Sequence, residues 1–319
     1  MSLCSYYRAL AVSLGAVLSA GCSAQQVSAP AMLLPAARST GHSWIAPNTS
    51  SQDLLYVTGA CGGICVFSYP GGTLVGELAD SNTPFGECVD ESGDVFVVNF
   101  GYEETPGVYE YAHGGTSPIA TLSDPGYNPQ ACSIDPTTGN LAVTNDGGAL
   151  AIYTGAKGDP TYYTDPKAYL NGFCSYDDKG NLFVDGDSAG SGDYALVEMP
   201  KGSDTFKGIR LDNAPSFPLD IQWVGKYLAL ADSQTVIYHV AVSGTKGKII
   251  GSTVLDGPIA QIEVQFWIQG GTIIVPYGTG DTPDQVGFWR YPTGGKLRKN
   301  IDVSQFELFG TVVSPATSR

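Results

Sequence analysis

Histidine is nearly missing from this chain: 319 residues contain three, His42, His113 and His239. No two of them stand at metal-ligand spacing, and no Ser-His-Asp arrangement can be assigned around them. Charge is thin as well, at 15% of residues, and it is lopsided. There are 16 Lys+Arg against 31 Asp+Glu, a formal net charge of −15. A surface of that sign repels phosphate backbones, which counts against a nucleic-acid partner and favours cationic ligands or metal ions. Long apolar runs are also lacking. Past the first 21 residues nothing approaches the roughly 18 apolar residues of a membrane-spanning helix.

Turn formers are abundant, with Gly 41, Pro 20 and Tyr 18, beside a hydrophobic fraction of 43%. That composition is too apolar for disorder and too rich in chain-bending residues for a helical bundle. A chain this long can bury a large core as one all-β unit.

The N-terminus reads as a targeting segment. Arg8 precedes Ala9–Ala20, an uncharged run of twelve residues with the length of a signal-peptide core. Ser19-Ala20-Gly21-Cys22 follows and resembles the lipobox of bacterial lipoproteins, with Ser19 where that family prefers Leu. The resemblance implies removal of residues 1–21 and acyl chains on Cys22, holding the protein firmly to a lipid bilayer. Only Arg8 is charged in the removed piece, so the mature formal charge is 15 − 31 = −16. Ser23, by the same resemblance, implies sorting to the outer membrane. Residues 22–51, rich in Ser, Ala, Pro, Gln and Thr, read as the lipidated cysteine and a flexible tether.

Within 52–315 one phrase recurs. It reads Pro84-Phe-Gly-Glu-Cys-Val-Asp90 then Gly93-Asp-Val-Phe-Val-Val-Asn99, and returns as Pro129-Gln-Ala-Cys-Ser-Ile-Asp135 then Gly139-Asn-Leu-Ala-Val-Thr-Asn145. Further copies centre on Gly180, Gly225 and Gly270, so the glycine spacings are 46, 41, 45 and 45 residues. Each copy predicts an apolar strand, a Gly turn, a β-branched strand, a third strand ending near Tyr, and a polar fourth strand. Four antiparallel strands per 41–46 residues is the pattern of a propeller blade. Six third-strand copies predict six blades. The first blade lacks its opening strand and the C-terminus carries a spare, Leu308-Phe-Gly-Thr-Val-Val-Ser314. The expected fold is therefore all-β, a six-bladed β-propeller of four-stranded blades. Its ring is closed by the C-terminal strand completing the first blade, with 316–319 as a tail.

The phrase resembles NHL-repeat and related six-bladed propellers, a superfamily that includes gluconolactonase-like hydrolases, streptogramin lyases and many binding proteins. Its repeated residues are structural, so the resemblance carries fold better than function. Streptogramin lyases use channel-facing histidines, and nothing here matches them. Gluconolactonase-like enzymes hold a divalent ion in the channel with Asn and Asp residues and a first-strand Glu. Asn99, Asn145, Asp185 and Asp232 read as equivalent second-strand ends, a candidate ring for Ca²⁺ or another divalent cation, with Glu87 as the first-strand Glu. The alternative is that these residues cap turns.

An exported chain meets oxidising conditions. Cys61-Gly-Gly-Ile-Cys65 is a candidate local disulfide. Cys88, Cys132 and Cys174 fall on first strands, with Cys132 and Cys174 equivalent and Cys88 one place off. One reading holds them on neighbouring inner strands beyond disulfide reach, as small buried apolar residues, and their pairing is left open. Two functions survive. One is an envelope-anchored, monomeric binding or scaffold module for a protein or glycan partner. The other is a metal-dependent hydrolase or lyase with its site in the central channel.

Overall fold

The structure, a computed structural model, describes residues 31–33, 42–79, 83–101, 106–125, 128–213, 215, 219–232, 234–259, 264–278, 284–303 and 307–316. The signal segment 1–21, Cys22 and residues 317–319 lie outside the described residues. Among the described residues no helix is long and apolar enough to cross a membrane.

Six sheets stand around one axis, each with four antiparallel strands at its centre, which in five of the six follow in chain order with the first innermost. Blade 2 runs Pro84–Val89, Val95–Asn99, Gly107–Tyr111 and Pro118–Ser123; blade 3 runs Pro129–Ile134, Leu141–Asn145, Leu150–Tyr153 and Thr161–Tyr163. Blade 4 uses Cys174–Tyr176, Leu182–Ser188, Tyr194–Met199 and Lys207–Gly208. Blade 5 uses Ile221–Val224, Tyr227–Ala231, Val236–Ser243 and Lys246–Asp256. Blade 6 uses Trp267–Gln269, Thr272–Tyr277, Gln285–Arg290 and Lys299–Asp302. Blade 1 takes its inner strand, Gly310–Ser314, from the C-terminus and the others, Leu54–Ala60, Gly63–Ser68 and Leu74–Ala79, from the start of the domain.

The expected closure is present in the expected register. Gly310 pairs with Thr58 and Ser314 with Leu54, antiparallel. The last strand is latched outward too: Ser314 Oγ donates to Gly93 O of blade 2 and contacts His113 Nδ1. The added strand covers the edge of Leu54–Ala60 that would otherwise stand open. Gly310 has to lack a side chain, because a Cβ there would stand 2.9 Å from Gln265 Oε1 and 3.0 Å from Phe85 O.

The core lies between blades rather than along the axis. Strand side chains alternate, so each blade offers one apolar face to each neighbour. Leu54, Tyr56, Val66 and Val312 of blade 1 meet Val95 and Val97 of blade 2 in one such layer. Phe96, Val98, Leu141 and Val143 form the next.

One boundary needs correction. The tether reading through residue 51 fails at its far end, where Trp44 and Ile45 pair with Glu77 and Gly76 as an extra outer strand of blade 1. Ala31–Leu33 likewise runs parallel to Asn300–Asp302 beside blade 6. Polar composition does not exclude pairing when a sheet edge is available.

Candidate functional site

The ring has two unlike ends. One carries the turns between first and second strands. The other carries the loops between second and third strands and the connections from blade to blade. At the turn end the recurring aspartates are consumed by backbone. Asp90 Oδ1 accepts from the amides of Ser92 at 2.8 Å and Asp94 at 2.9 Å. Asp177 Oδ1 accepts from Lys179 at 2.9 Å and Asn181 at 2.8 Å. Asp135 Oδ1 accepts from the Thr137 amide at 2.8 Å, and the Thr138 hydroxyl reaches Oδ2. Burial would raise the Asp135 pKa, but those bonds outweigh it and hold the carboxyl below its ordinary value. These are turn-building acids.

At the connection end the predicted ring does not assemble. Asn99 and Asn145 do end their second strands, facing Pro84 and Pro129, and are fully buried. Their amides lean back on Val97 O and Val143 O, each at 3.4 Å. Asp185 is not their equivalent. Cys132 faces Val143 and Cys174 faces Val184, so Asp185 takes the place of Thr144 and Gly186 that of Asn145. One residue of shift sends a side chain to the other face. Asp232 folds into its own loop, accepting from the Gln234 amide at 2.7 Å and Tyr238 Oη at 3.3 Å. Glu87 is fully buried, against Val312 and Tyr56 of blade 1. Burial holds its carboxyl well above the usual range. Among the described residues no three His, Cys, Asp or Glu side chains gather as a metal-binding group. Asn145 Oδ1, Asp185 Oδ2 and both Glu87 carboxylate oxygens are buried without a hydrogen-bond partner among the described residues.

What the connection end does gather is a patch across blades 2 to 4. Asp124, fully buried, accepts from Tyr162 Oη at 2.6 Å and lies beside the Asn145 amide. Burial raises its pKa. Asn171 Nδ2 donates to Asp187 Oδ2 at 3.1 Å. Asp124 Oδ2, Asn145 Oδ1, Asp146 Oδ1 and Asn171 Oδ1 are buried oxygens with no hydrogen-bond partner among the described residues. Tyr169 pairs with Asp187 and is 55% exposed. Gly148, at φ +77°, makes room for it, since a Cβ there would lie 2.8 Å from the ring. The Leu170 amide bonds Gly148 O, tying the blade 3 loop to the blade 4 entry. Next to this patch, Asp185 accepts from the Phe173 amide at 2.6 Å. Burial, with Asp187 adding, pushes its pKa up to about 7 against the Phe173 and Leu219 amides, which oppose the rise. Asp220 is also held well above its ordinary range, chiefly by burial, and accepts from the Phe266 amide at 2.7 Å. Sequence reasoning missed Asp124, Asp146, Tyr169 and Asn171. The only signal was the Asp146-Gly-Gly148 turn and the long connection before Cys174.

Cys61 and Cys65 are joined, with Cα atoms 5.2 Å apart. Cys88 and Cys132 are joined as well, at 5.6 Å, a pairing the sequence leaves open. Cys174 is the buried free thiol among the described residues. His239 contacts Thr253 Oγ1 at 2.9 Å and stacks on Tyr227, a packing role.

No family model matches the chain, and no curated protein matches it in sequence. Solved structures do. A chain of the crystal structure of a nidogen/laminin complex superposes with TM-score 0.67 at 12% identity, covering 83% of this chain and 100% of that one. TolB from Acinetobacter baumannii gives TM-score 0.60 at 16% identity, covering 85% of this chain and 68% of that one. At such identity the likeness shows the fold alone, a β-propeller.

Proposed function

We propose that this chain is an exported, lipid-anchored binding or scaffold module, monomeric, displayed on the cell envelope through Cys22. The connection end of the ring holds a protein or glycan partner. The observation that carries the reading is the contrast between the two ends. Acids at the turn end are spent on backbone amides, whereas the blade 2–4 patch keeps buried acceptors unspent and carries an exposed aromatic ring. Buried polar groups without partners are costly and mark places where something else supplies the bond. The NHL-like phrase and the propeller seen with nidogen and laminin support the same class, since propellers commonly serve as rigid platforms. Channel hydrolysis with a metal is disfavoured by the register that takes Asp185 off the Asn145 position and by Asp232 folding into its own loop.

The test is photo-crosslinking in intact envelopes, with a photoreactive residue at position 169 or, as control, at exposed Glu91 on the turn end. An adduct from 169 and none from 91 supports the reading; no adduct from 169 refutes it. For the anchor, Cys22→Ala is expected to release the protein from membranes, and retention would contradict lipidation.

A further inference from the structure

This inference rests on the lipid-anchored reading and names the side of the ring that meets the bilayer. We infer that the outer rim of blades 5 and 6 lies against anionic phospholipid headgroups, through a strip that runs from Arg298 and Lys296 along Lys246–Asp256 to Arg210.

Cations are segregated in this chain. Between Arg38 and Lys157 there is no Lys or Arg, so blades 1 and 2 carry none. The outer strand of blade 5, Lys246–Asp256, has eleven residues, a length of roughly 35 Å. Its even-numbered residues are all exposed: Lys246, Lys248, Ile250, Ser252, Val254 and Asp256. Ile250 is 56% exposed and Val254 46%. Short strands run parallel to it at both ends. Asp256 stands beside Lys296, opposite charges abreast. Lys246 stands beside Arg210, like charges abreast. Leu211 packs where a Cβ on Gly247 would lie, so Arg210 and Lys246, one place along each strand, turn outward. A like-charge pair in a sheet is destabilising, and an external anion relieves it. Arg210, Lys246, Lys248, Lys296 and Arg298 are exposed, as are Asp212 and Asp256, so the strip carries 5 − 2 = +3 on a chain of −15. Fields fade over about 8 Å at physiological salt, so the local sign decides what touches the strip. A second copy's outer strand is kept off, because Arg210–Leu211 and Gly295–Lys296 already occupy both ends of the edge.

The anchor reaches the ring at the same rim. Ala31–Leu33 runs parallel to Asn300–Asp302, with Ala31 beside Asn300. The chain from Cys22 therefore joins the ring at the end of that strand next to Arg298 and Lys299. Nine residue steps separate Cys22 from Ala31, a reach of at most about 30 Å. Acyl chains on Cys22 thus hold this rim near the lipid. Interfacial binding combines cations drawn to anionic lipid with apolar side chains at headgroup depth, and the strip supplies both. An unanchored chain of this net charge still leaves the membrane. The strip acts in the tethered protein, where the local lipid concentration is high. Contact through the rim leaves both ends of the ring open.

The test uses the acylated mature chain in vesicles of phosphatidylcholine, alone or with about 30% phosphatidylglycerol. A polarity-sensitive thiol dye is placed at Ile250→Cys or, as control, at Ile119→Cys, 58% exposed on the outer strand of blade 2. Cys174 is buried and the two described pairs are disulfide-bonded, so the dye goes to the new thiol. The dye at 250 is expected to shift to the blue only with phosphatidylglycerol, and the dye at 119 in neither case. Arg210→Gln/Lys246→Gln/Lys248→Gln should remove at least about half of that shift. Lys157→Gln/Lys179→Gln/Lys226→Gln, which removes the same charge from exposed positions elsewhere, should leave it intact. Unchanged melting temperatures confirm folding. Equal losses in the two triple variants, or equal shifts at 119 and 250, overturn the inference. A shift produced by poly-glutamate without vesicles would make the partner an acidic polypeptide and overturn it too. If the dye at 250 stays solvent-like on anionic vesicles while the protein still floats with them, the docking strip falls and the anchor stands. Failure to float with phosphatidylcholine vesicles would remove both.

Discussion

The seam between blades 2 and 3 and the seam between blades 3 and 4 are built from the same strand positions and fastened by different chemistry. Cys88 and Ser133 both face the second residue of their hairpin partner strand, Phe96 and Ala142. Cys132 and Cys174 both face the third, Val143 and Val184. Each of those two sulfurs lies near the equivalent carbonyl, Phe96 O at 3.6 Å and Ala142 O at 4.0 Å. Across the first seam Cys88 bonds Cys132. Across the second, Ser133 Oγ accepts from the Tyr176 amide at 3.0 Å and Cys174 is left free. The pattern continues without sulfur, as Ser175 accepts from the Trp223 amide and Gln222 from the Ile268 amide. Strand parity decides what meets across a seam: neighbouring positions face opposite blades, so only an offset of one place lets two inner-strand cysteines point at each other.

The largest expected effect comes from cutting the covalent seam. Cys88 and Cys132 are separated by 44 residues, and closing a loop of that size contributes about 4 kcal/mol on the chain-entropy model. Cys88→Ser should cost a large part of that in urea unfolding. A loss below about 1 kcal/mol would mean the seam holds without its staple.

Next comes a pH effect at the seam between blades 4 and 5. Asp185 has a folded-state pKa near 7 against an ordinary 3.8, raised first by burial. Between those values the unfolded chain has released the proton and the folded chain keeps it. The folded state binds more protons, so stability falls as pH rises from about 4 to about 7 and levels off above. The loss should be on the order of 2–4 kcal/mol. Asp185→Asn can still accept from the Phe173 amide, and it should remove that slope. Parallel melting curves against pH in parent and variant would contradict the assignment.

These seams also show what was readable in the sequence. Glycine spacing and the two complementary chain ends announced six blades and their closure, because turns and strand patterns are local. Fastenings between blades depend on which face a side chain takes, and one residue of register changes that. The offset of Cys88 is visible in the sequence, and strand parity makes it the condition for bonding. Asp185 reads as equivalent to Asn145 because both end an apolar run, although Leu182–Ser188 continues past the place where Leu141–Asn145 stops. The blade 2–4 patch was less legible still, since its members come from different blades with no common motif.

If parity governs, the second seam can be stapled like the first. Ser133→Cys gives Cys174 a partner in the geometry already used by Cys88 and Cys132. The expected gain is about 2 kcal/mol, below the entropic figure because added cross-links often strain the fold. The unfolded, non-reduced chain should then show no reaction at Cys174 with thiol reagents. A free Cys174 in that variant would show the two seams are not equivalent.

The smallest effects distinguish the hydrogen-bonded seams from one another. Ser175 gives Trp223 one acceptor at 2.8 Å, whereas Gln222 makes two bonds with Ile268, accepting its amide at 2.7 Å and donating to its carbonyl at 3.1 Å. A net hydrogen bond contributes about 1 kcal/mol, and an amide left buried without a partner costs more than the bond was worth. Ser175→Ala should therefore cost about 1 kcal/mol and Gln222→Ala about twice that, read from urea midpoints at constant slope. Equal costs would mean that the Gln222 side chain contributes through one bond only. The seam between blades 5 and 6 would then depend mainly on the Asp220 carboxyl and the Phe266 amide, which sit just before the same two strands.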